Sequence, residues 1–213
     1  MNTHLQHLEN LREIRSIMDR SSRFLSLSGL SGVAAGVCAL LGAGVVKWYL
    51  GSHYLLSRSF YQTTPNWDTI FFLGAVAAVV LVLALGSGIY FTQRKARQNR
   101  QTIWDSQAKR LLLNLALPLV AGGIFCGALL YHGLVYLIAP AMLIFYGLAL
   151  LNASKYTLRD IRFLGLSEIG LGLVACFFIG YGLLSWTIGF GLLHILYGTI
   201  MYVKYEREAP AHT

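Results

Sequence analysis

The sequence predicts an all-α, polytopic membrane protein: a bundle of six transmembrane helices with an N-terminal amphipathic cytoplasmic helix. Three observations predict it. Apolar residues make up 56% of the 213-residue chain and charged ones only 12%, against about 25% charged in an ordinary soluble domain. The apolar residues gather into six runs close to the ~20 residues that a spanning helix needs. Lysine and arginine collect on alternate connections, the pattern that sets membrane orientation. Together these exclude a disordered chain, a disulfide scaffold and an ordinary soluble enzyme.

The elements follow in order. Over residues 1–23, Leu5, Leu8, Leu11, Ile14 and Ile17 recur every three residues with Glu and Arg between them. That spacing predicts an amphipathic helix at the cytoplasmic face, either on the membrane surface or extending the first span. It is not a cleavable signal, because the first apolar run begins only at Phe24 and continues past signal-peptide length. The spans are expected at about 24–46, 69–92, 111–131, 134–152, 163–184 and 187–203. They form a membrane domain over 24–203, followed by a cytoplasmic tail over 204–213. His132-Gly133 and Ser185-Trp186 are read as tight hairpins, because an unbroken run through either joint would overshoot the bilayer. In the outer loop, Thr64-Pro65-Asn66 reads as a turn and Asp68 as the N-cap of the second span.

The charge count fixes the orientation. Arg12, Arg15, Arg20 and Arg23 precede the first span. Arg94, Lys95, Arg97, Arg100, Lys109 and Arg110 lie in the 93–110 connection. Lys155, Arg159 and Arg162 lie between the fourth and fifth spans, and Lys204 and Arg207 follow the sixth. Only Lys47 and Arg58 fall on the other side. This places both termini in the cytoplasm of an inner (plasma) membrane. It also explains the net charge of +8 without a nucleic-acid partner. Trp48, Trp67, Trp104 and Trp186 fall near predicted span ends, where indole rings favour the headgroup region.

In hydrocarbon, small residues let helix backbones approach closely. Ser28, Gly32 and Gly36 form such a stripe in the first span, Gly165, Glu168 and Gly172 in the fifth, and Gly191, His194 and Gly198 in the sixth. These faces are expected to meet other helices. Pro118 and Pro140 are expected to kink the third and fourth spans, since neither can donate a backbone hydrogen bond.

Glu168 is the one acidic residue placed well inside a span, and an intramembrane carboxyl is costly unless paired, protonated or wet. His194 lies in the sixth span and carries an imidazole, the side chain whose ordinary titration falls near neutral pH. Both are candidates for a proton site. Helical rise puts Glu168 ~9 Å nearer the cytoplasm than His194, so direct contact is not expected. Asn114, Asn152 and Tyr202 are expected at the level of Glu168, with Tyr197 between the two levels.

Other chemistry fails on inventory. No phosphate loop or H-E-x-x-H occurs. The odd set Cys38, Cys126 and Cys176 holds no C-x-x-C, which argues against zinc or a disulfide framework. Gly29-Leu30-Ser31-Gly32 matches the G-x-S-G of rhomboid proteases, but the serine lies in the first span and the second has no His or Asn. No catalytic residue, metal or cofactor is expected.

The run Arg15 to Gly32, RSIMDRSSRFLSLSGLSG, resembles a stretch in uncharacterised multi-span inner-membrane proteins of Bacteroidota. It covers the N-terminal helix and the start of the first span. The resemblance implies a bacterial inner-membrane location and carries no activity or residue role. The functional expectation is a non-enzymatic sensor, regulatory or assembly component. It would act in the bilayer through a cytoplasmic protein partner at residues 1–23 or 93–110, or as a homo-oligomer. The alternative is a small proton-coupled transporter or channel using Glu168 and His194.

Overall fold

The computed structural model describes residues 27–51, 67–98 and 106–207. Among these the chain is helical and contains no strand. The helices are α1 (Gly29–Leu50), α2 (Trp67–Gln98), α3 (Ser106–Tyr131), α4 (Ile138–Ala153), α5 (Asp160–Phe177) and a last run, α6 (Ile179–Arg207). A 3-10 turn, Val135–Leu137, leads into α4. Within α6, a 3-10 turn at Ile179–Tyr181 is followed by α-helix, a π-helical segment at Thr187–Leu193, α-helix from His194 to Tyr202, and π-helix at Val203–Arg207.

α1, α2, α3, α6 and the run Val135–Tyr156 that contains α4 are each long and apolar enough to cross a membrane. The chain is therefore a membrane protein. α5 has 18 residues and carries Asp160, Arg162 and Glu168. The expected helix over 1–23, the turn at Thr64–Asn66, Trp104 and the tail beyond Arg207 lie outside the described residues.

α6 joins two helical hairpins. It packs on α1, which also holds α2, and on α4 and α5; α3 lies against α4. α2 and α3 stand at the margins, and the buried residues of α2 are Lys95 and Ala96. The central contacts run through glycines. A Cβ on Gly198 would stand 2.6 Å from the Val33 nitrogen and 2.8 Å from the Gly29 oxygen. One on Gly32 would lie 3.1 Å from the Gly198 Cα, and one on Gly36 2.6 Å from the Gly191 oxygen. α1 and α6 thus meet backbone to backbone. α4 and α5 meet in the same way, with Gly172 lying against Ile144 and the Pro140 carbonyl.

The basic end of the bundle is tied by charges. Glu206 of α6 accepts from the Gly29 N–H at 2.6 Å and from the Ser28 hydroxyl at 3.2 Å. A carboxylate there satisfies donors that the first turn of α1 leaves free and opposes the helix dipole. Lys95 of α2 donates to the Leu27 carbonyl at 2.8 Å and pairs with Glu206 at 3.4 Å. Ser28 therefore serves as part of this cap. Beside it, Asp160 at the start of α5 accepts from Lys204 at 3.1 Å and from the Tyr205 hydroxyl at 2.7 Å.

Several expected boundaries move. α1 starts at Gly29 rather than Phe24, because Leu27 and Ser28 are non-helical and Ser28 is extended. The α5–α6 joint lies at Phe178–Tyr181, and Ser185-Trp186 sits inside α6. The reason is length: α5 begins three residues earlier than expected and its 18 residues end at Phe177, so the apolar run from Ile179 onward belongs to α6. The joint at Gly133 falls where expected, with φ 74°. Pro140 starts a helix rather than kinking one. It is the third residue of α4, where an N–H lacks an intrahelical partner in any case. Pro118 lies within α3. α2 and α3 extend into the 93–110 connection as helix, to Gln98 and from Ser106.

Two predictions follow from these contacts. Gly198→Ala should lower the thermal unfolding midpoint of the detergent-solubilised protein, since overpacking costs about 1–3 kcal/mol. Gly123→Ala, whose new Cβ meets nothing within 4 Å, should not; equal midpoints for the two variants would contradict the α1–α6 contact. Burial opposes ionisation of Asp160, but the hydrogen bonds from Tyr205 and Lys204 and the charge of Lys204 outweigh it and hold its carboxyl below the usual range. A depressed folded-state pKa stabilises above about pH 3.9, the ordinary value, and that contribution is lost as pH falls through the folded value. Asp160→Asn should accordingly be less stable than wild type at neutral pH and converge with it in acid, as read by unfolding at each pH.

Candidate functional site

Glu168 is fully buried, at 0% exposure. Gly165 and Gly172, one turn to either side, draw α5 onto α4 and carry Glu168 into the seam between α4, α5 and α6. Neither carboxyl oxygen has a hydrogen-bond partner among the described residues. Oε1 lies 3.5 Å from Nδ1 of His194, itself buried on α6. Gly189 forms the wall beyond: a Cβ there would stand 2.5 Å from Glu168 Oε2. A glycine at 189 is what allows the carboxyl its place.

The imidazole is oriented from both sides. Its Nδ1 lies 3.0 Å from the Gly189 carbonyl and its Nε2 2.7 Å from the Tyr146 hydroxyl. A carbonyl only accepts, so Nδ1 carries the proton, and in the neutral ring Nε2 accepts from Tyr146. The acceptor carbonyl lies five residues before His194, in the π-helical segment Thr187–Leu193. Such wide turns often occur at functional sites. Phe190 packs against Tyr146, with ring centroids 5.0 Å apart, and against Trp186 at 5.2 Å. This wall keeps the site apolar.

The arrangement holds protons. An isolated carboxylate, out of water and without a donor, is too costly to persist. The imidazole is the titratable partner within ion-pair reach. The pair can exist with a proton on the carboxyl and a neutral ring, or as carboxylate and imidazolium. Nδ1 already holds its proton toward Gly189, so the second state takes its added proton at Nε2, on the Tyr146 side of the ring. Among the described residues no group of three His, Cys, Asp or Glu side chains could hold a metal ion.

The expectation that Glu168 and His194 stay apart fails on register. Lys204 pairs with Asp160, which sets those two residues at one level. From there Glu168 lies eight residues inward and His194 ten, about 12 and 15 Å by helical rise. The two therefore sit almost level. The other expected companions are elsewhere. Asn152 donates to the carbonyl and side-chain oxygens of Asn114 at 3.0 Å, and Asn114 donates to the Arg110 carbonyl. These amides join α4 to α3 at the basic end. Tyr202 is 36% exposed. Tyr197 meets the Ser167 hydroxyl at 3.3 Å. Ser31 donates to the Ser28 carbonyl, an interaction within α1 with no part in a protease-like pair.

Tyr146 and Gly189 are the members that the sequence did not announce. Tyr146 had a signal: it is the one tyrosine in α4, and a phenol in an apolar run requires a partner. Gly189 had none, because its importance depends on a π-helical segment that no residue pattern marks. No family model, curated protein or solved structure matches the chain.

Tyr146→Phe leaves His194 Nε2 without its donor. It should cost about 1–3 kcal/mol of stability, the penalty for an unsatisfied buried polar atom. Tyr202→Phe should cost nothing measurable. Denaturant unfolding in matched detergent compares the two, and equal stability would remove Tyr146 from the site.

Proposed function

We propose that this chain is a six-span bacterial inner-membrane protein with both termini in the cytoplasm. In this reading it is a non-enzymatic sensor or regulatory component, and the Glu168–His194 pair is its proton-responsive element. One observation carries the reading: a fully buried carboxyl with no hydrogen-bond donor among the described residues, 3.5 Å from an imidazole. A change of proton in that pair acts on the seam where α4, α5 and α6 meet, and so on the arrangement of the bundle.

Several features support the rest. The 18 residues of α5 are long enough, at about 27 Å, to serve as the sixth span. The lysines and arginines beside the helix ends fall almost entirely on one side, as cytoplasmic loops require. The resemblance of residues 15–32 to multi-span proteins of Bacteroidota agrees with a bacterial inner membrane. The amphipathic spacing of residues 1–23 and the basic 93–110 connection suit a cytoplasmic protein partner. The exposed margins formed by α2 and α3 suit a homo-oligomer. Proton-coupled transport is the second reading, favoured by the π-helical segment beside Glu168. Against it, α2 and α3 bring no polar side chain to the pair.

Infrared difference spectra of the protein in liposomes, stepped from about pH 5 to 8 where imidazole titrates, test the proposal. Wild type should show a protonated-carboxyl C=O band whose intensity changes across the range. Glu168→Gln should lack it. Identical spectra for the two proteins would end the reading. Proton flux through the same liposomes separates the two functions: flux lost in Glu168→Gln would favour transport, and none in either protein favours a sensor.

A further inference from the structure

The face of α4 turned toward α3 forms a groove of about 410 Å³, lined by Pro118, Phe145, Leu148, Leu151, Asn152 and Lys155. Its α4 residues, Phe145, Leu148, Leu151 and Asn152, follow a helical stripe at spacings of three, three and one, and Lys155 of the 3-10 turn Ser154–Tyr156 continues it. The inner end is closed: Phe145 packs against Gly122 and stands 5.5 Å, ring to ring, from Phe125. The other end opens at Lys155. From Phe145 to Lys155 the groove runs ten residues, about 15 Å, half of the ~30 Å hydrocarbon core. It is one leaflet deep.

The mouth is polar and positive. Lys155 is exposed and donates to Asn152 Oδ1 at 3.3 Å. Asn152 holds Asn114, which in turn holds the Arg110 carbonyl, so the basic first turns of α3 stand at the same level. Among the described residues, the acids of this end are engaged elsewhere: Asp160 with Lys204 and Tyr205, Glu206 with Lys95 and the start of α1. Among the described residues the cations at the mouth are therefore in excess.

We propose that this groove binds one anionic phospholipid, with an acyl chain along Leu148 and Leu151 against Pro118 and the phosphate at Lys155. The depth fits one leaflet's chain and is too short for a partner's spanning helix. The charge selects a headgroup of net negative charge, as basic pockets between membrane helices do. A free phosphate leaves the apolar walls uncovered.

The test uses the full chain in mild detergent, with thermal stability titrated by phosphatidylglycerol, by phosphatidylcholine of the same chains, and by inorganic phosphate. Phosphatidylglycerol should raise the midpoint saturably, with little effect from the other two. Lys155→Gln should keep the lipid-free midpoint and need about fivefold more phosphatidylglycerol for half-saturation, the loss of one surface lysine. Leu148→Trp, at a position 40% exposed, should fill the groove and abolish the response. The proposal is overturned by equal stabilisation from phosphatidylcholine, by inorganic phosphate reproducing the full shift, or by either variant responding like wild type. It is also overturned by a dimer that shows no lipid response, since a second copy would then cover the groove.

Discussion

Close backbone contact between helices is the constraint from which the rest of this structure follows. In hydrocarbon, burying apolar surface gives little drive for two helices to associate, so packing and hydrogen bonds must hold them. Here the close contacts are few and specific: Gly32 and Gly36 against Gly198 and Gly191, and Gly147 and Gly165 against each other's backbones. These two seams meet along α6. The site lies at that junction, where α4, α5 and α6 come near enough to enclose a carboxyl. Gly172 and Gly189 complete the enclosure, one pressing α5 onto α4 and the other admitting the carboxyl to α6.

Two kinds of bond are divided between two depths. At the basic end, ions are paired and capped in the ordinary way, with Glu206 on the start of α1 and Asp160 under Lys204. Deeper in, Glu168 has no hydrogen-bond partner among the described residues, and its imidazole neighbour is already committed to Gly189 and Tyr146. The outer Asp160–Lys204 pair marks the register of α5 against α6, and by helical rise it lies about 12 Å from the level of Glu168.

Much of the architecture was legible because it depends on one-dimensional properties. Apolar runs located the helices, the Gly stripes of α1 and α6 marked faces that do meet, and Glu168 stood out as a charge in an apolar stretch. What was not legible depends on pairing between elements. Depth counted separately along two helices placed Glu168 and His194 on different levels; only the Asp160–Lys204 contact supplies a common origin. The Ser185-Trp186 joint misled because length demands a break in the run without saying where it falls, and Ser185 is buried inside α6. Asn114 and Asn152 were expected near the carboxyl, yet amides satisfy one another, and these two do.

The cap on α1 has a consequence for how the protein is made. The carboxylate that receives the Gly29 N–H comes from a residue 177 positions later. A chain emerging from the ribosome therefore inserts its first span long before that partner exists. Until α6 arrives, the glycine face of α1 and the free amides at its start are available to other helices and to the insertion machinery. The cap forms only once α6 is in place, so the start of α1 is completed by contact with a helix far along the chain rather than by its own neighbours.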